Sequence, residues 1–313
     1  MIARAFLCFA CYFLIFPVLA QGSYSLPKDS KKILFLGNSI SYAGQYLTYV
    51  ETYLRLIHPE RNWEFINLGL PSETVSGLSE AGHADGRFPR PDLHERLDRV
   101  LKAVEPDFIF SCYGINDGIY LPFDESRFSA YKKGQQKLQQ KADSLGIPLI
   151  HLTPPVYDRP QDPAYASVLA VYASWMVSQR YAQAWKVIDL HWPMRKFLED
   201  ERETNPDFAL TSDGVHPGEQ GHWLMARSLL KGIGESQYLE ADLPKAVFDR
   251  IPLGTELLPL VREKQEVIRD AWLSYTGHER PGLREGLPMD QALFRKEELM
   301  KSISKLLSRN KLR

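Results

Sequence analysis

Three side chains in this chain have the types and spacing to do nucleophilic chemistry. Ser39 closes Gly37-Asn38-Ser39 directly after an apolar run, and His216 ends Asp213-Gly214-Val215-His216 before Pro217. A serine hydroxyl is a poor nucleophile until a base takes its proton, and that base needs a partner to fix its tautomer. Asp213, across a turn containing Gly214, can bend back to accept from the His216 ring while both face the serine. Two more segments could stabilise negative charge developing on a carbonyl oxygen. Gly69 offers a backbone N–H clear of side-chain obstruction, and Asn116 in Gly114-Ile115-Asn116-Asp117 offers a side-chain amide. With the Ser39 N–H they would form a three-donor oxyanion hole, in which loss of one donor costs about 10² to 10³ in rate. Each segment alone has an ordinary reading: a helix-capping serine, an Asp N-cap before a surface histidine, an Asn-Asp-Gly turn. The joint arrangement decides for chemistry.

That arrangement comes from the elements that carry the residues. Strand-like apolar runs occur at Lys32–Leu36, Trp63–Leu68, Asp107–Cys112, Pro148–Leu152 and Lys186–Leu190. Helical stretches fall at Ile40–Ile57, Leu93–Val104, Ser126–Ser144, Tyr165–Gln183 and Gly218–Ile233. Short, continuously apolar strands separated by helices imply a parallel sheet covered on both faces. The expected fold is a three-layer α/β/α, doubly wound, flavodoxin-like domain with five strands. Ligands of such sheets bind beyond the carboxyl ends of the strands, which is where Ser39, Gly69, Asn116 and Thr153-Pro154-Pro155 fall.

These blocks resemble the SGNH (GDSL-type) hydrolase family. Phe35-Leu36-Gly37-Asn38-Ser39-Ile40 is similar to its first block, Asn67-Leu68-Gly69 to its second, Gly114-Ile115-Asn116-Asp117 to its third, and Asp213-Gly214-Val215-His216-Pro217 to its last. The resemblance covers residues 31–233 and implies Ser39 as nucleophile, His216 as base and Asp213 as its orienter. It implies Ser39, Gly69 and Asn116 as the oxyanion hole. Asn38 stands where an Asp is usual, and Pro71-Ser72-Glu73 stands where a further glycine is often found, which puts that loop's shape in question.

With 313 residues, 44% of them apolar and 25% charged, the chain can bury a core of its own. Thirty-eight basic against 39 acidic residues give a formal charge of −1, which supplies no field for nucleic acid. Met1–Ala20 has one charge, Arg4, then an apolar run and a Val18-Leu19-Ala20 end, the pattern of a cleavable secretory signal. Retention as an uncleaved anchor is the alternative. Cleavage removes Cys8 and Cys11, leaving Cys112 as a lone core thiol without a disulfide partner. A secreted or periplasmic location follows, with no stable membrane insertion after cleavage.

No cofactor or metal is expected. His58, His83, His94, His151, His191, His222 and His278 have no close ligand spacing, and no phosphate-binding glycine motif follows a strand. Residues 235–313 read as a helical C-terminal extension packed on the main domain and burying little, with helices at Val261–Tyr275 and Gln291–Leu307. Trp272, Tyr275, His278 and Arg280 within it read as anchors, or else as a substrate rim. Nothing in the sequence fixes the oligomeric state.

The leading functional expectation is a serine esterase that hydrolyses short acyl esters, acetyl foremost, on an oligo- or polysaccharide or a small molecule. A lipase, lysophospholipase or thioesterase of the same family is the second reading. A non-catalytic glycan-binding protein on this fold is the third, and the complete residue set argues against it.

Overall fold

The apolar runs become the sheet. The computed structural model of the protein describes residues 24–27, 31–159 and 163–309, so the expected export segment lies outside the described residues. The strands are β1 (Lys32–Gly37), β2 (Glu64–Asn67), β3 (Phe108–Cys112), β4 (Leu149–Leu152) and β5 (Lys186–Ile188), all parallel and ordered β2-β1-β3-β4-β5. Helices cover both faces, so Ile33, Leu34, Phe35 and Leu36 are all buried, with no alternation along β1. Phe35 stacks on Phe110 of the neighbouring strand at 4.9 Å between ring centroids.

The helices are α1 (Ser39–Ala43), α2 (Gln45–Ile57), α3 (Leu93–Val104), α4 (Glu125–Ser144), α5 (Pro163–Ala182), α6 (His191–Thr204) and α7 (Glu219–Gly232). Right-handed crossovers put α2 on one face and α3, α4 and α5 on the other, because the chain reverses its direction across the sheet after β2. The packing agrees: Tyr49 of α2 meets Trp223 of α7 edge-on, whereas Tyr131 of α4 stacks on Tyr172 of α5. The reversal opens a crevice at the carboxyl ends of β1 and β3, and Ser39 and Asn116 follow those two strands.

Two expectations change here. The helix expected over Ile40–Ile57 is two helices, broken at Gly44 in the left-handed conformation (φ 74°). The extension, expected to bury little, buries a great deal. It forms α8 (Pro244–Phe248), α9 (Gly254–Thr276) and α10 (Met289–Ser308), and Leu257, Val261, Leu273, Ile303 and Leu306 join the main core. Its charges did not prevent this, because some are themselves buried in pairs. Lys264 Nζ lies 2.5 Å from Glu51 Oε1, and Arg55 and Gln265 donate to the same carboxylate at 2.7 Å each. Helix α9 packs on α2, on α3 and on β2, so it straddles that edge of the sheet. At the opposite edge, Val187 of β5 donates its N–H to the Tyr24 hydroxyl at 3.2 Å and accepts at its carbonyl from Arg180 Nε at 3.0 Å.

Candidate active site

Ser39 opens α1. Asn38 caps that helix, its Oδ1 accepting from the Ile40 N–H at 3.1 Å, so an asparagine fills the usual aspartate position with a structural task. As first residue of α1, Ser39 has an N–H with no intrahelical acceptor.

The partner loop is pinned from behind. Buried Asp158, beyond β4, accepts from Arg202 Nη2 at 2.6 Å and from the Leu210 N–H at 2.7 Å. Its own N–H donates to the Gly214 carbonyl at 2.8 Å. Gly214 turns the chain at φ 89°, a left-handed conformation suited to glycine. Asp213 Oδ2 then lies 2.7 Å from His216 Nδ1, and Ser39 Oγ lies 2.9 Å from His216 Nε2. A carboxylate can only accept, so Nδ1 carries the proton and the Nε2 lone pair faces the serine. Partial burial pushes the Asp213 carboxyl up, but hydrogen bonds from His216 and Val215 outweigh it and hold the pKa down at about 2. Neighbouring His222 is held down at about 4 by burial and by the charge of His216, so it stays neutral at pH 7.

The remaining expected donors do not fare alike. Asn116, 3% exposed, donates from Nδ2 to the Glu73 carbonyl at 3.0 Å and accepts at Oδ1 from the Tyr120 hydroxyl at 2.8 Å. A second Nδ2 proton remains available. The Gly69 N–H, expected to be free, donates instead to Asn67 Oδ1 at 2.9 Å. This position has no room for a side chain for a packing reason: a Cβ there would sit 2.4 Å from the Tyr42 nitrogen of α1.

Further along the same loop another backbone N–H is without an acceptor among the described residues. Leu70-Pro71-Ser72-Glu73 is a turn closed by the Glu73 N–H donating to the Leu70 carbonyl at 3.1 Å. Pro71 at its second position and φ 69° at Ser72 fit a type II turn, which needs a positive φ at its third residue. The Ser72 N–H has no acceptor among the described residues, and the next residue's carbonyl holds Asn116. The sequence signal was the Pro-Ser pair where a glycine is common, which hides the left-handed conformation that glycine would advertise.

Below the turn lies a buried clamp. Glu73 receives Arg96 Nε at 2.6 Å, Arg96 Nη2 at 2.7 Å and the Tyr113 hydroxyl at 2.6 Å, and Arg96 Nη2 also donates to the Leu68 carbonyl at 2.7 Å. Asp117 Oδ1 ties the same loop to the turn after β3 by accepting from the Val75 and Ser76 N–H groups, each at 2.9 Å.

Other candidates sit apart. Cys112 is buried on β3, and burial pushes its thiol up to about 12, so it is inert as a nucleophile at neutral pH. Among the described residues no group of three or more His, Cys, Asp or Glu converges as metal ligands, and no helix is long and apolar enough to cross a membrane. Trp272 stacks edge-on with the exposed Tyr275, and Arg280 lies 5.4 Å over the Phe88 ring on the loop after β2. On the Asp213 side of the triad, a cleft of about 630 Å³ is lined by Arg159, Arg202, Ser212 and Asp213 among others, and by neither Ser39 nor His216.

Similarity to known proteins follows the same outline. Residues 35–224 match the model of the GDSL-like lipase/acylhydrolase family. An acetylxylan esterase from Geobacillus stearothermophilus is 25% identical over 233 residues, covering 66% of this chain and 95% of that protein. A solved acetylxylan esterase structure from the same organism has a TM-score of 0.52 at 24% identity, covering 66% of this chain and 95% of that one. A gut microbial diltiazem-metabolizing enzyme gives a TM-score of 0.58 at 20% identity; 69% of this chain is covered, but only 49% of that enzyme. At these identities the superpositions speak to the fold. With the family match covering more than half of the chain and all four sequence blocks, the chain belongs to the GDSL-like lipase/acylhydrolase family and is an ester-bond hydrolase.

Proposed function

We propose that the protein is a serine esterase that removes short acyl groups, acetyl in particular, from carbohydrate. The observation that carries the mechanism is the unbroken line from Ser39 Oγ through His216 to Asp213, at 2.9 Å and 2.7 Å. Ser39 Oγ attacks the ester carbonyl carbon as its proton passes to His216 Nε2. The oxyanion is met by the N–H groups of Ser39 and Ser72 and by Asn116 Nδ2, with Gly69 left to its packing role. The intermediate collapses, the carbonyl-to-sugar C–O bond breaks, and His216 returns the proton to the departing sugar oxygen. Water then gives a proton to His216 and attacks the acyl-enzyme, releasing the carboxylic acid and restoring Ser39 Oγ–H. Asp213 stays ionised throughout and stabilises the imidazolium.

A sugar ester is favoured over a lipid by the acetylxylan esterase relative, which aligns over 95% of its own length. The apolar Met1–Ala20 segment supports secretion or export to a periplasm.

The test compares acetate release from acetylated xylo-oligosaccharides with hydrolysis of acetyl and long-chain p-nitrophenyl esters, for wild type and Ser39→Ala. Acetyl preference in the wild type and loss of turnover in Ser39→Ala are expected. A long-chain preference would replace sugar esters with lipid esters, and equal rates in both proteins would end the mechanism.

A further inference from the structure

We propose that Tyr120 is a positioning residue for the oxyanion site, fixing the Asn116 side chain so that nitrogen, not oxygen, faces the ester. The inference rests on the mechanism above. An asparagine amide has two nearly isosteric ends, and a flip would exchange a hydrogen-bond donor for an acceptor. Turned toward a developing oxyanion, the oxygen would repel the charge it is meant to stabilise. Two contacts decide the orientation. Nδ2 donates to the Glu73 carbonyl at 3.0 Å, and Oδ1 accepts from the Tyr120 hydroxyl at 2.8 Å. A flip would set oxygen against the Glu73 carbonyl, and the Tyr120 hydroxyl, donating to Oδ1, adds a second contact that holds the amide in the observed orientation.

The hydroxyl also strengthens the donor it orients. Accepting a hydrogen bond at Oδ1 polarises the amide, and hydrogen bonds in series reinforce one another in a low-dielectric site. The phenol stays protonated, since burial holds its pKa well above the ordinary value.

The chain accepts strain to place this one group. Ile119 and Tyr120 are consecutive non-glycine residues in the left-handed region, at φ 47° and 56°, and Ile119 is β-branched. Around the ring, a frame holds the hydroxyl on target. The Tyr165 ring lies 4.9 Å away, Tyr157 6.1 Å, and the Arg90 guanidinium 5.2 Å over its face. Arg90 is in turn fixed by two 2.7 Å hydrogen bonds to the Glu80 carboxylate. Neither Tyr120 nor Arg90 lies in the four blocks that carry the nucleophile, base and donors.

Tyr120→Phe keeps the ring and its frame and deletes only the hydroxyl. Kinetics of Tyr120→Phe, Asn116→Ala, the double variant and Ser39→Ala, on p-nitrophenyl acetate and an acetylated xylo-oligosaccharide, test the role. Titration with an organophosphonate that labels Ser39 normalises the rate of every variant that keeps the nucleophile to folded enzyme, and Ser39→Ala is normalised to protein concentration with a thermal melt confirming its fold. The expected result is a kcat about tenfold lower in Tyr120→Phe with KM within about twofold, a fraction of the loss on removing a donor outright. In the Asn116→Ala background, removing the hydroxyl should cost nothing further, because no amide remains to orient. Wild-type kcat in Tyr120→Phe, a change confined to KM, or the same tenfold loss without Asn116 would each overturn the assignment. Turnover surviving in Ser39→Ala would overturn the mechanism itself, whatever Tyr120 does.

Discussion

Asp213 holds His216 at two points: Oδ2 meets the ring Nδ1 at 2.7 Å, and Oδ1 accepts from the His216 backbone N–H at 2.8 Å. The same Oδ1 also accepts from the Val215 N–H at 2.8 Å, so one carboxylate sets the turn, the ring plane and the tautomer together.

Asp213→Asn separates these duties. The amide oxygen can still cap the turn, but its nitrogen now faces Nδ1 and drives the proton onto Nε2, where it blocks acceptance from Ser39. We expect kcat to fall by about 10³- to 10⁴-fold. The melting temperature should change little, since the pair is half-exposed. Steady-state kinetics with thermal melts check both, and a loss below tenfold would remove Asp213 from the triad.

Ser72 and Gly69 should respond in opposite ways. If only the Ser72 backbone N–H is used, Ser72→Gly keeps kcat and relieves the left-handed φ of 69°, stabilising the protein by up to about 1 kcal/mol. Gly69→Ala pushes a methyl to 2.4 Å from the Tyr42 nitrogen and shifts α1 with its serine. It should cost stability, by about 1–3 kcal/mol, as well as kcat. Denaturant titration and kinetics of the two variants decide it; a stable, fully active Gly69→Ala would refute the packing role.

The Glu73–Arg96 clamp is a liability once halved. Both side chains are at most 1% exposed, so Glu73→Gln leaves the guanidinium charge without its counter-ion and should destabilise by about 3–5 kcal/mol. Glu73→Leu combined with Arg96→Met removes both charges and should recover part of that loss. Urea unfolding of the single and double variants reads the difference directly.

Asp117 predicts a pH dependence. Burial raises its pKa to about 6, although the Ser76 and Val75 N–H groups pull the other way. Between the ordinary carboxylate value of about 4 and pH 6, the folded state keeps a proton that the unfolded state has lost. The group's contribution is therefore full below about pH 4, declines as pH rises to 6 and is flat above, a change on the order of 3 kcal/mol. Asp117→Asn keeps an acceptor for both N–H groups and removes the titration. The stability of wild type relative to this variant should fall from pH 4 to pH 6, and a flat difference would show the carboxyl titrating normally.

The sheet was legible because strands buried on both faces must be continuously apolar, and β1 and β3 are. Helix α6 went unseen because only His191, Met194 and Leu198 face inward, and seven charged residues in its span mask that spacing. The break at Gly44 was missed because residues on either side keep a helical pattern, and the sequence does not say which glycines go left-handed. Ser39, His216, Asp213 and Asn116 could be picked out since chemistry dictates their types. The Gly69 expectation failed for a local reason: Asn67, two residues earlier, reaches its N–H first. Tyr120 and Ser72 escaped notice because their parts depend on backbone φ, which neither a tyrosine nor a serine announces.

The two rims of the sheet are closed by different means, and this bears on how copies of the protein can meet. An open strand is a template on which another chain can add by main-chain pairing, the usual start of domain swapping and fibre growth. Here α9 lies across β2, while the Tyr24 hydroxyl and the Arg180 guanidinium occupy the main-chain groups of Val187 on three-residue β5. Among the described residues both edge strands are thus covered or capped, which leaves helix surfaces and loops, rather than a continued sheet, for contacts between copies.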